Sequence, residues 1–209
     1  MRQPVYLDYN ASAPLRPEAA AYMTSLMGPA RNPSSIHSFG RSSKLIMETA
    51  RGDLAELAGG DASGFMFTSG GTEANNTALL GFEQVITCIV EHDAVLAARP
   101  DAHKIGVGID GGINLPELDS ALQQAKNRGG EILVSVMLVN NETGRIQPIE
   151  KLLKICRSYD VAFHSDMVQA LGKIPIKLDE WSRSGLTMAS FSAHKIGGPP
   201  GVGALWVAP

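Results

Sequence analysis

The chain has 209 residues, 44% hydrophobic and 19% charged, with 18 Lys and Arg against 21 Asp and Glu for a formal net charge of −3. That composition supports a sizeable core in one or two soluble domains, and basic residues spread singly along the chain exclude a nucleic-acid footprint or a polybasic membrane patch. No apolar run approaches the roughly 18 residues needed to cross a bilayer, and Met1-Arg2-Gln3-Pro4 lacks the layout of a secretory leader, so a cytoplasmic protein without membrane partners is expected.

Residues 5–14 read as a short polar arm that turns at Pro14, followed by a helix from Pro17 to Met27. After the turn-rich Arg31-Asn32-Pro33-Ser34-Ser35, a long helix is predicted from Ser38 to Ala58. Leu45, Ile46, Thr49, Leu54 and Leu57 mark its apolar positions, and Gly59-Gly60 stops it. Short apolar runs then alternate with helical ones. Strands are predicted near Gly64–Thr68, Val85–Val90, Lys104–Val107, Glu131–Leu138, Asp160–His164, Leu186–Phe191 and Gly203–Val207. Helices fall between them near Thr72–Phe82, Asp93–Arg99, Pro116–Asn127 and Ile149–Tyr159. Every strand is expected to lead through a loop into a helix, and runs such as Ile132-Leu133-Val134-Ser135-Val136 suit a parallel sheet covered on both faces, so the fold class is α/β. Cys88 and Cys156 sit in apolar surroundings without metal-ligand spacing and read as buried structural thiols.

In an open parallel sheet, ligands bind beyond the carboxyl ends of the strands, which makes the residues just after each strand the candidates. Ser69-Gly70-Gly71-Thr72 offers free backbone amides, a hydroxyl and the positive end of a helix, a setting for a phosphate or simply a tight turn. His92 either starts a helix or presents a flat ring to a ligand, and Asn140-Asn141 either build a turn or aim at a carboxylate or hydroxyl. Asp166 closes an apolar strand, where its charge needs a cationic partner such as a protonated heterocycle. Ser192-Ala193-His194-Lys195-Ile196-Gly197-Gly198-Pro199 holds Lys195 on a sharp turn, either as a solvated loop lysine or as an amine that partial desolvation frees to form a Schiff base. Taken together, a lysine, an acid, a flat ring and a phosphate cradle are the parts that hold pyridoxal 5'-phosphate.

With these segments in order, the chain resembles the pyridoxal-phosphate cysteine desulfurases of class V aminotransferase type, which serve iron–sulfur cluster assembly. The blocks that carry the resemblance are Tyr6-Leu7-Asp8-Tyr9-Asn10-Ala11, Phe67-Thr68-Ser69-Gly70-Gly71-Thr72-Glu73-Ala74-Asn75-Asn76, Glu91-His92, Val139-Asn140-Asn141-Glu142-Thr143-Gly144, Asp166-Met167-Val168-Gln169 and Ser192-Ala193-His194-Lys195. The resemblance implies a fold type I transferase, with residues 1–16 as an arm and 17–209 as the cofactor-binding large domain. It makes Lys195 the Schiff-base lysine and Asp166 the partner of the pyridine nitrogen. His92 would then stack on the ring and move protons, Gln169 reach the ring hydroxyl, and Gly71, Thr72, Ser192 and His194 bind the phosphate. Asn141 would lie near the cofactor hydroxyl and the substrate carboxylate. L-Cysteine would become L-alanine, with the sulfur passed as a persulfide to a sulfur-acceptor or scaffold protein, in a homodimer. The persulfide cysteine and the small domain of that family have no counterpart up to Pro209, so a carboxy-terminally truncated chain is expected. A non-catalytic remnant, a partner subunit, a selenocysteine lyase or an aminotransferase are the alternatives.

Overall fold

A computed structural model describes residues 4–209; Met1, Arg2 and Gln3, which begin the predicted arm and carry the leader reading, lie outside the described residues. The arm runs to α1 (Pro17–Leu26) and the long α2 (Ser38–Ala58). Then follow β1 (Phe65–Thr68), α3 (Gly71–Leu79), β2 (Gln84–Cys88), α4 (Asp93–Leu96), β3 (His103–Ile105) and α5 (Leu115–Arg128). The chain closes with β4 (Ile132–Ser135), α6 (Ile149–Ser158), β5 (Ala162–Asp166), α7 (Leu178–Arg183), β6 (Leu186–Ser192) and β7 (Gly203–Val207). One seven-stranded sheet results, in the order β1-β7-β6-β5-β4-β2-β3.

Strands β3, β2, β4, β5 and β6 pair in parallel, each joined to the next through helices that cover the sheet. Residues of β2, β4 and β5 are therefore buried on both faces, β4 with the near-continuous apolar run this requires and β5 with the polar His164, Ser165 and Asp166 inside. The α/β class holds, but the rule that a helix follows every strand fails at β6. There a short 3-10 turn, Ala193–Lys195, and a Gly/Pro loop return the chain directly as β7, antiparallel to both β6 and β1. Gly198 and Pro199 deny that connection a helix. Because β7 runs between two strands, Ala204, Leu205 and Trp206 are buried.

Local chemistry sets the ends of the elements. Asn114 caps α5 by accepting from the Glu117 amide, and Gly129 ends it at a φ of 76°. On α6, Ile149, Leu152, Leu153 and Cys156 recur at helical spacing and all face the core. Burying side chains such as Phe65, Phe163 and Phe191 stabilises the fold by about 1.5–3 kcal/mol each. The predicted helix Thr72–Phe82 stops earlier, at Leu79, because Leu80 is extended and Gly81 adopts a φ of 84°. The run predicted as Asp93–Arg99 is helical only over Asp93–Leu96, and α7 went unpredicted because six residues are too few to show a period. On α2 the expected apolar face is only partly the buried one. Leu54 packs against the core, whereas Leu45 and Leu57 are exposed and the small Ser43, Ala55 and Ala58 are buried.

Candidate active site

Five strand ends converge on one cavity of about 700 Å³, lined by Gly71, Thr72, His92, Asn141, Asp166, Gln169, Ser192, His194 and Lys195. All nine residues singled out from the sequence are thus brought together, although they span more than half the chain. The parallel strand order makes this happen: β2, β4, β5 and β6 point their carboxyl ends the same way, so the loops after them meet.

At one end, Gly70 precedes α3 with φ 157° and ψ 179°, a conformation open to glycine, and the first turn leaves the amides of Gly71 and Thr72 without intrahelical acceptors. A Cβ on Gly71 would stand 2.9 Å from Val168 Cγ2 and 3.4 Å from Ser192 Cβ, which places this turn hard against the β5 and β6 loops. Gly203 of β7 backs the same turn, since a Cβ there would lie 2.6 Å from the Gly70 backbone.

At the other end sits Asp166, the last residue of β5 and 7% exposed. Its Oδ1 accepts from the Val168 amide at 2.9 Å and its Oδ2 from Asn75 Nδ2 at 2.6 Å. Burial pushes the carboxyl above its ordinary range, while these two donors and the nearby His92 and Lys195 pull it back. His92 caps α4 through Nδ1, which accepts from the Ala94 amide at 3.0 Å; in the neutral ring the proton therefore sits on Nε2. His92 thus starts a helix and also lines the cavity.

Lys195 is half-buried and donates to the carbonyls of Asn10 at 2.7 Å and Ala11 at 2.8 Å. Desolvation pushes its amine down from the usual lysine value, opposed by Asp166 and Asp8. The arm is stitched to the Lys195 turn by Ala13 N–H to His194 O and Arg16 N–H to Gly197 O, each 2.9 Å, and Asp8, Asn10 and Ala11 form a wall of the cavity. Gln169 Nε2 donates to the same Asn10 carbonyl at 2.9 Å, and its Oε1 accepts from Lys173. Of the two adjacent amides, Asn140 builds the turn, its Oδ1 accepting from the amides of Glu142 and Thr143, while Asn141 faces the cavity.

The sequence reading missed Asn75 and Glu91. Asn75 stands four residues beyond Gly71, one helical turn along, so its spacing from the glycine pair was the available signal. Glu91, 6% exposed, accepts from the Met137 amide at 2.7 Å with one oxygen and leaves the other without a partner. Burial holds this carboxyl well above the usual range, and the charge of Asp166 adds to the effect. Cys88 and Cys156 are fully buried, with burial pushing their thiols to about 11 and about 12.

The donor set suits pyridoxal 5'-phosphate: amides and hydroxyls at one end for an anion, a carboxylate at the other for a cationic ring nitrogen, and a desolvated amine between them. Such a sheet with such a cavity is the architecture of a pyridoxal-phosphate transferase. The sequence profile of the family described as Aminotransferase class-V matches residues 5–209, and the chain belongs to that family of pyridoxal-phosphate enzymes.

Among curated relatives, the chain is similar to the cysteine desulfurase IscS of Dictyoglomus turgidum, at 41% identity over 223 residues covering 99% of this chain and 55% of the relative. The cysteine desulfurase IscS of Rickettsia bellii is likewise 41% identical, with 98% and 52% covered. Among solved structures, the NifS-like protein of Rickettsia africae superposes with a TM-score of 0.89 at 36% identity, covering 97% of this chain and 57% of that one. A structure described as SspA in complex with cysteine gives 0.84 at 30% identity, with 97% and 60% covered. The chain spans about half the length of the curated relatives it matches.

Proposed function

We propose that this chain forms the cofactor-binding part of a cysteine desulfurase, which takes L-cysteine to L-alanine and passes the sulfur on as a persulfide. The observation that carries the proposal is the convergence of Lys195, Asp166, His92 and the Gly71-Thr72 helix start on one cavity. Pyridoxal phosphate, when bound, supplies a carbonyl that captures amines and a ring that accepts electrons. Lys195 provides the amine, held at the arm carbonyls until it gives up its proton. Asp166 would hold a cationic ring nitrogen, and His92, which lines the cavity with a proton on Nε2, would give up that proton and take one back. Gly71, Thr72, Ser192 and His194 would bind the phosphate, Gln169 would offer the ring hydroxyl the amide proton that the Asn10 carbonyl leaves free, and Asn141 would hold the hydroxyl and the substrate carboxylate.

The persulfide does not form on Cys88 or Cys156, because neither thiol is accessible or ionised near neutral pH. The same proposal makes residues 1–16 an arm and 17–209 the cofactor-binding domain of a cytoplasmic homodimer that serves a sulfur-accepting protein in iron–sulfur cluster assembly. Its support is the arm's attachment to the Lys195 turn and the exposed apolar residues Phe39, Leu45 and Leu57 of α2, which a second subunit can cover. Among the described residues no helix is long and apolar enough to cross a membrane.

The test is to titrate the purified chain with pyridoxal phosphate and follow the visible absorbance of the bound form, then to assay alanine release from cysteine. Saturable binding that Lys195→Ala abolishes is expected. A folded chain that acquires no such band refutes the cofactor assignment, and a longer form carrying these residues that binds the cofactor but releases no alanine refutes the desulfurase reading.

A further inference from the structure

Asn75 is 1% exposed on α3, and its amide nitrogen donates to Asp166 Oδ2 at 2.6 Å. The other donor to Asp166, the Val168 amide, comes from the same local turn two residues on, so Asn75 is the tertiary contact that fixes the carboxylate's rotation. The orientation of this amide is unusual in what it leaves undone: Asn75 Oδ1 is buried with no hydrogen-bond partner. An orphaned buried acceptor costs about 1–3 kcal/mol, so something must hold the amide this way round. An ionised carboxylate does so, because it only accepts, and the donor side of Asn75 must face it. A protonated Asp166 carries its own O–H, and the opposite face of Asn75 then becomes the better partner.

We propose that Asn75 is a positioning residue for Asp166: its amide fixes the carboxylate toward the cavity in the ionised form and turns over when Asp166 takes up a proton. The inference rests on reading Asp166 as the partner of the cofactor's ring nitrogen, and it gives α3 a second task besides presenting the helix start at Gly71. The charged groups that act on Asp166 are Lys195 and His92, which line the same cavity, and the buried Glu91. Lys195 and His92 favour its charge, while an ionised Glu91 would oppose it. Asn75 is the side-chain contact that both favours the charge and fixes its direction.

The experiment follows the Asp166 carboxyl by carbon NMR through a pH titration of the full chain without cofactor, in the parent and in Asn75→Leu. Loss of a hydrogen bond to a charged acceptor is expected to make Asp166 hold its proton about tenfold more tightly. In the parent, the Asn75 side-chain amide signals are expected to shift with the same midpoint as Asp166. Where leucine does not fit, Asn75→Ala removes the donor without adding bulk and carries the same expectation. An Asp166 titration unmoved by either substitution overturns the proposal, as do Asn75 amide signals that stay constant through the Asp166 transition. Added pyridoxal phosphate is expected to bind the variant about tenfold more weakly. A parent chain that takes up none refutes the cofactor reading instead, and the titration without cofactor still decides the role of Asn75.

Discussion

Replacing Asp166 with asparagine is expected to stabilise the cofactor-free chain while weakening its hold on pyridoxal phosphate. The carboxyl is 7% exposed, and its burial raises its proton affinity above the ordinary value of 3.8. A group whose folded pKa is raised contributes stability that is fully present below the unfolded value and lost as pH rises through the folded one. At pH 8 the native chain therefore carries the penalty of a buried charge, only partly offset by two hydrogen bonds and by Lys195 and His92. An amide is neutral at every pH and can be fully bonded here: its oxygen keeps the Val168 amide, and its nitrogen meets Asn75, which can turn its partnerless Oδ1 inward. Removing a buried charge while keeping the bonds is worth about 2 kcal/mol, which raises the melting temperature of a chain this size by about 4–8 °C. Thermal melts at pH 8 and pH 4 measure it. The gain is expected to be larger at pH 8 than at pH 4, because acid moves the parent carboxyl toward its own neutral form. A lower melting temperature at pH 8, or the same gain at both pH values, refutes the reasoning.

Gly203→Ala is expected to destabilise the chain by about 3 kcal/mol, because its new Cβ would stand 2.6 Å from the Gly70 backbone and 2.7 Å from the Phe191 carbonyl, neither of which can rotate away. Denaturant unfolding measures the loss, and pyridoxal phosphate binding is expected to fall with it because Gly70 opens the turn proposed to bind the phosphate. A neutral substitution would show that β7 does not buttress that turn. Cys88 and Cys156 are expected to resist a thiol reagent at pH 7.5 in the native chain and to react once it is unfolded, since both are buried with their thiols pushed to about 11 and about 12. Rapid labelling of either in the folded chain would contradict the packing of β2 or α6.

Sequence by itself determined a good deal here, because the chemistry of this site is local to short segments. Gly70-Gly71-Thr72, Glu91-His92, Asp166 and Ser192-Ala193-His194-Lys195 each stand at a strand end, and their residue types already state what they can bind. The alternation of apolar runs with helical periods identified the α/β class, and α2 was legible to its terminal residues. Spatial pairing decided the rest. No local pattern distinguishes β7 as antiparallel, since direction depends on whether a crossover helix fits between two strands, and here Gly198 and Pro199 leave no room for one. The exposed Leu45 beside the buried Ser43 on α2 shows why hydrophobicity alone did not reveal its packed face. Asn75 and Glu91 looked like ordinary polar positions, because what distinguishes each is a neighbour distant in sequence: Asp166 for one, the Met137 amide for the other. A residue that acts directly on a ligand often shows its chemistry in its own segment, whereas one that acts by holding another residue becomes visible only when the fold brings the two together.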